Sequence, residues 1–109
     1  MTRWLCLLAL GAAGCGYVDM HEVVVRPGSG PPSSKVELYM MSQAPNRPYY
    51  EVALLQAIGH GSDANLEDVV HALTQRAAQL GCDAVIRVQF EQGYSMAHGV
   101  GACVRWVGQ

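Results

Sequence analysis

What the chain lacks narrows its chemistry first. It has no phosphate-loop glycine pattern and no dinucleotide fingerprint. Its seven Lys and Arg stand against nine Asp and Glu, for a formal net charge of -2, and the basic residues form no stripe interleaved with aromatics. Nothing in that balance supports nucleic-acid binding. No Ser/His/Asp or Cys/His order carries a nucleophile context, so no catalytic residue is assigned and no enzyme is expected. The four histidines, His21, His60, His71 and His98, show no metal-ligand spacing, so neither metal nor cofactor is expected. No apolar run approaches the roughly 20 residues of a spanning helix. No internal repeat is visible.

What is there suits one small domain. The chain has 109 residues, half of them hydrophobic and 15% charged, which is enough for a packed core. Its amino end reads as an export signal. A short basic start, Met1-Thr2-Arg3, precedes the apolar run from Trp4 to Leu10, and Gly11-Ala12-Ala13-Gly14 then leads to Cys15. Small residues just before a cysteine resemble the lipobox of bacterial lipoproteins. That resemblance implies cleavage after Gly14 (signal peptide 1–14), diacylglycerol on the Cys15 sulfur and acylation of the new amino terminus. The alternative is an ordinary secretory signal that happens to precede a cysteine. Several acyl chains, each contributing about 0.8 kcal/mol per buried CH₂, hold a protein to a membrane durably. Gly16 follows, where an Asp would resemble an inner-membrane retention signal, so the outer membrane is expected.

Residues 15–34 read as the lipidated end plus a tether. Val23-Val24-Val25 suggests a short strand or local packing, and the stretch from Arg26 to Ser34 is rich in Pro, Gly and Ser. Such a stretch buries too little apolar surface to offset its ordering entropy, so it is expected to lift the domain off the lipid. A surface loop inside the fold is the other reading.

Residues 35–109 are expected to form an α+β domain of order β-β-α-β-β, one amphipathic helix packed on a mixed three- to four-stranded sheet. Residues 36–40 alternate, with Val36, Leu38 and Met40 inward. Residues 49–58 are apolar on both faces, as in a central strand. Leu66, Val69, Val70, Leu73, Ala77 and Leu80 line one helical face, with Asp63 or Asn65 as N-cap and Gly81 as stop. Ala84, Ile86, Val88 and Phe90 share one face of the next strand. Val100, Ala102, Val104 and Trp106 share one face of the last, joined to it by a hairpin at Gln92-Gly93. The crossover through the helix makes its flanking strands parallel. The sheet face away from the helix is expected to carry Arg87, Gln89 and either Cys103 or Arg105, and so to be solvated or to meet a partner.

With Cys6 in the signal and Cys15 lipidated, Cys82 and Cys103 remain, an even pair in an oxidising compartment. A tight turn at Gln92-Gly93 sets Phe90 against Ser95 and Cys82 opposite Cys103, which allows a disulfide. A loop spanning Glu91 to His98 shifts the register and parts the sulfurs, leaving two buried thiols. Asp83, at the helix exit, is expected to accept backbone amides rather than to catalyse. Tyr94-Ser95-Met96, near the hairpin tip, offers a contact surface or simple loop packing.

Pro48-Tyr49 before an apolar strand, then AAQLGCDAVI from Ala77 to Ile86, then GACVR from Gly101 to Arg105, resemble the domain shared by YbjQ-type proteins and RcsF-like envelope-stress lipoproteins. The resemblance runs over residues 36–107. It implies a compact strand-helix-strand-strand domain on a lipid anchor, a non-enzymatic sensing role and contacts with other envelope proteins. YbjQ-type domains also carry the suggestion of heavy-metal binding, and an unpaired sheet edge suggests self-assembly. The RcsF-like pattern has four domain cysteines in two disulfides, and here only Cys82 and Cys103 stand. The oligomeric state is left open.

Overall fold

The computed structural model describes residues 16–26 and 30–108. Strands β1 (Gly16–Val24), β2 (Glu37–Met40) and β3 (Tyr49–Gly61) precede helix α1 (Leu66–Gln79), and β4 (Ala84–Gln92) and β5 (Met96–Trp106) follow it. They make one mixed five-stranded sheet in the order β1-β3-β5-β4-β2. The α+β class with a single helix among the described residues is as expected, but the sheet has five strands rather than three or four. The extra one is β1, from residues expected in the tether. It lies antiparallel on β3, with nine paired positions from Gly16↔Gly61 to Val24↔Ala53. The sequence hides it because its inward side is only Val18, Met20 and Glu22, and Glu22 is held by Arg76 of the helix (Nε–Oε1 2.5 Å, Nη2–Oε2 2.9 Å). That two-pronged, charge-assisted contact fastens the edge strand to α1.

The Pro/Gly/Ser stretch is then a connection inside the fold. It leaves one sheet edge at β1 and arrives at the other at β2. Val25 and Arg26 still donate to the Val52 carbonyl, and the Ser33 amide donates to the Ala78 carbonyl at the end of α1 (2.8 Å).

Helix α1 starts and stops as its sequence dictates. Asn65 caps it, its Oδ1 accepting from the Asp68 amide at 2.8 Å, so of the two candidate caps Asn65 does the capping. At the other end Gly81 takes φ +78°. Its amide reaches the Ala78 carbonyl while the Cys82 amide reaches that of Ala77 (3.1 and 2.9 Å), the double bond of a Schellman turn. Val69, Leu73 and Ala77 are fully buried against the sheet, each Val or Leu contributing roughly 1.5–3 kcal/mol. The sheet floor under the first half of the helix is made of small residues. A Cβ on Gly99 would lie 2.9 Å from Val69 Cγ1 and 2.7 Å from Phe90 Cδ1, so only glycine lets the helix this close.

Strands β3 and β4 are parallel, as the crossover requires, but they are not neighbours, because β5 lies between them, antiparallel to both. The central β5 is therefore paired along both edges, and it contributes buried residues on both faces. Ala97 and Cys103 belong to the helix-side core, and Ala102, Val104 and Trp106 to a second buried cluster on the opposite face. The apolar set of β5 does share a face, but that face looks away from the helix, which corrects the expectation that Cys103 or Arg105 would occupy it.

In β4 the expected face splits. Ala84 and Ile86 join the second cluster, whereas Val85 and Val88 are core residues on the helix side with Phe90 against them. The pairing with β5 shifts between Ile86 and Gln89, and Arg87 sits in the shift at φ +52°. One extra residue in a strand inverts the alternation beyond it. Residues 41–48 return across the second cluster, with the Arg47 guanidinium 4.7 Å from the centre of the Trp106 ring. Val36 and Leu38 pack on the helix-side core as expected, while Met40, beyond a shift in the β2–β4 pairing, is exposed.

Candidate functional site

The face without the helix is built row by row by the strand pairing. Asp19, Ile58, His98 and Glu91 form one row across β1, β3, β5 and β4, and His21, Gln56, Val100 and Gln89 form the next. Val23, Leu54, Ala102 and Ile86 form the third. Because side chains two apart along a strand share a face, the surface grades from ionisable through amide to aliphatic. A groove of about 540 Å³ occupies the amide and aliphatic rows, bounded by Val23 of β1 on one side and Met41 and Arg87 on the other. Val23 is 64%, Met41 56% and Leu54 46% exposed, so its apolar lining faces solvent. Contiguous exposed apolar surface of this kind marks a contact site more often than scattered single residues do.

Arg87 gives the groove its charge. The bulge aims it out of the sheet, where its Nη2 donates to Glu51 Oε1 across β5, and that carboxylate holds the guanidinium's pKa above its ordinary value. A non-glycine residue at positive φ costs of order 1 kcal/mol and recurs at sites where a side chain has to be re-aimed. Nothing in the residue types 84–92 announces this bulge. The residue in the left-handed position is an arginine, where a glycine would have been a signal.

At the ionisable end, the Tyr17 ring stacks on His60 with centroids 4.5 Å apart. His60 Nε2 lies 3.2 Å from Asp19 Oδ2, and His98 Nε2 lies 3.1 Å from Glu91 Oε2. His71 is exposed on the helix. The four histidines thus spread over two faces. Among the described residues no group of three or more His, Cys, Asp or Glu converges on a metal-sized site. Near the start of α1, Asp63 and Asp68 share a hydrogen bond. It pushes the Asp63 carboxyl above its ordinary value, while Asn65 first, and Asp63 second, hold Asp68 below it. This is capping chemistry: Asn65 Nδ2 also donates to Asp68 Oδ2 at 2.9 Å.

Cys82 and Cys103 are joined in a disulfide, with Cα atoms 5.7 Å apart and both residues fully buried. The route differs from the expected one. The hairpin pairs Phe90 with Gly99, not with Ser95, so register along β4 does not set the cysteines opposite each other. The Schellman turn does, by dropping Cys82 off the end of the helix beneath β5. Asp83 then serves as expected: its Oδ2 accepts from the Trp106 amide at 2.8 Å, and its own amide donates to the Val104 carbonyl, also at 2.8 Å. Tyr94 is fully exposed at the hairpin tip, so the contact-surface reading of residues 94–96 survives and loop packing does not. The lipidation candidate Cys15 lies outside the described residues, as does the signal 1–14. Among the described residues no helix is long and apolar enough to cross a membrane.

No family model matches the chain, and no curated protein matches it in sequence. Among solved structures the fold is similar to that of the Francisella virulence factor FvfA, known from an orthorhombic crystal form. The TM-score is 0.57 at 15% identity, over 80% of this chain and 97% of that one. At that identity the likeness is one of fold.

Proposed function

We propose that this protein is a bacterial envelope lipoprotein, anchored by acyl chains on Cys15 in the outer membrane and facing the periplasm, whose helix-free sheet face binds another envelope component without catalysing a reaction. The carrying observation is the groove over Leu54. It is an exposed aliphatic lining beside a charged pair, Arg87 and Glu51, on a sheet that the disulfide and two cores make rigid. Interfaces of small binding domains take this form: an apolar centre with polar groups at its margin that set orientation. A stress-sensing role, as in RcsF-like proteins, would use the same face.

The anchor is supported by the small residues that lead to Cys15 and is tested by globomycin. Accumulation of uncleaved precursor is expected, whereas a soluble, lipid-free periplasmic product would sink the anchor. The face is tested by a photo-crosslinking residue at position 54 in living cells, with position 75 on the exposed side of α1 as the control. A discrete adduct at 54 and none at 75 is expected, and equal labelling at both would refute the assignment of the face.

A further inference from the structure

The sheet leaves no slack between the proposed anchor and the folded domain. Gly16, the residue after Cys15, is already the first residue of β1 and is paired with Gly61. It is seated against the β3–α1 turn: a Cβ there would lie 2.7 Å from the Ser62 amide nitrogen and 2.8 Å from that of Asp63. Consecutive Cα atoms stand about 3.8 Å apart, so an acylated residue 15 fixes this end of the sheet within one residue's reach of the lipid.

The same end carries exposed apolar groups. Tyr17 is next to Gly16 in β1, and Leu66 opens α1 just beyond the turn. Met96 starts β5 opposite His60, and Tyr94 tips the β4–β5 hairpin. Tyr94 is 107% and Tyr17 58% exposed, with Met96 at 43%. The hairpin and the turn form one surface, because Gln92 Nε2 donates to the Ala64 carbonyl at 2.8 Å. Tyrosine at a bilayer surface places its ring among the acyl ends and its hydroxyl among headgroups.

We infer that Tyr17, Leu66, Tyr94 and Met96 form a membrane-seating surface, and that the domain sits flush on the leaflet that holds its acyl chains rather than hanging from a spacer. This rests on the acylation of Cys15 proposed above. The charge at this end selects the lipid. Asp63 in the β3–α1 turn, Glu67 and Asp68 in the first turn of α1 and Glu91 near the end of β4 make this end acidic, so neutral zwitterionic headgroups are favoured and anionic ones repel it. The binding groove lies farther along the sheet and stays open to the periplasm in this pose.

The test uses the full chain, processed in a lipoprotein-competent host and reconstituted into brominated phosphatidylcholine vesicles. With the signal cleaved, Trp106 is the native tryptophan, ten residues from Met96 along β5 and so roughly 34 Å away. Its emission is expected to be the same in brominated and ordinary vesicles. In Y94W the introduced indole is expected to lose roughly half its emission to bromine, the depth of an interfacial ring. Inserting about ten Gly/Ser residues between Cys15 and Gly16, a reach of roughly 17 Å, is expected to abolish that loss. Protein that floats with the vesicles but shows no quenching in Y94W overturns the seating and leaves the anchor standing. Protein that does not float overturns the anchor and this inference with it. Quenching unchanged by the insertion refutes the role of the short link. Quenching as strong in phosphatidylglycerol at low salt refutes the charge selection.

Discussion

Reducing or deleting the Cys82–Cys103 bond should produce a loss of stability that is worked out from the loop it closes. The cysteines are 21 residues apart. In the chain-entropy account a loop of that length removes about 11 cal/mol/K from the unfolded ensemble, or about 3 kcal/mol at room temperature. For a domain this small, 1 kcal/mol corresponds to roughly 4–8 °C, so the melting midpoint should fall by about 12–24 °C. The assay is urea and thermal unfolding of the oxidised protein, the reduced protein and C82A/C103A. The m-value should rise when the bond is broken, because an unlinked unfolded chain exposes more surface. Both half-cystines are fully buried, so native-state reduction should also be slow and should accelerate in mild denaturant, as exchange requires the sulfur to be reached. Superimposable melts for all three proteins would remove the bond from the stability account. A loss with an unchanged m-value would place the effect in native packing and refute the loop-closure reasoning.

Four further outcomes are expected. R87G should change stability by no more than about 0.5 kcal/mol, exchanging one exposed ion pair for relief of the positive φ, while R87V should cost about 1–2 kcal/mol because a branched Cβ resists that conformation; urea midpoints separate the two. D83A should cost about 1.5–3 kcal/mol by leaving the Trp106 amide without its charged acceptor, and near-wild-type melting would refute that role. G101A should cost about 1–3 kcal/mol, since its Cβ would meet Val85 and lie 3.2 Å from Val88 Cγ2. For the Asp pair the signs oppose: the raised Asp63 stabilises at low pH and loses that contribution as pH rises through its folded pKa. The lowered Asp68 stabilises above 3.8 and loses its contribution as pH falls through its folded value. D63N should therefore make acid destabilisation steeper and neutral stability slightly higher, read from urea midpoints between neutral pH and acid; a flatter profile would contradict the pairing.

How much could be read in advance depended on whether a feature was local. The helix was legible because Val69, Leu73 and Ala77 repeat at its period and Asn65 and Gly81 mark its ends. The role of Asp83 followed from its place at a helix exit. The disulfide was legible as a pair but not by its route, since the Schellman turn moves Cys82 out of the plane in which strand register operates. Strand β1 was missed because an edge strand needs only one apolar side, and here that side includes Glu22, whose partner Arg76 lies far along the chain. The burial of Val104 and Trp106 on the helix-free face was missed because the cover comes from residues 39–47, which only the long-range topology brings there. The groove combines both failures. Its lining residues come from five separate segments, β1, β3, β4, β5 and Met41 after β2, and its charged member is aimed by a bulge at an arginine that nothing nearby foretells.

Strand β1 also decides where this protein can be cut. A fragment that begins at residue 35, the natural choice if everything before it were spacer, would strip β3 of its outer neighbour along nine paired positions and bare the alternate amides and carbonyls that β3 turns toward β1. It would also leave Arg76 without its carboxylate and uncover the flank of α1 that Val18 and Met20 shield. Such a fragment is a template for strand exchange between copies, so oligomers seen with it would report the truncation rather than the behaviour of the intact chain.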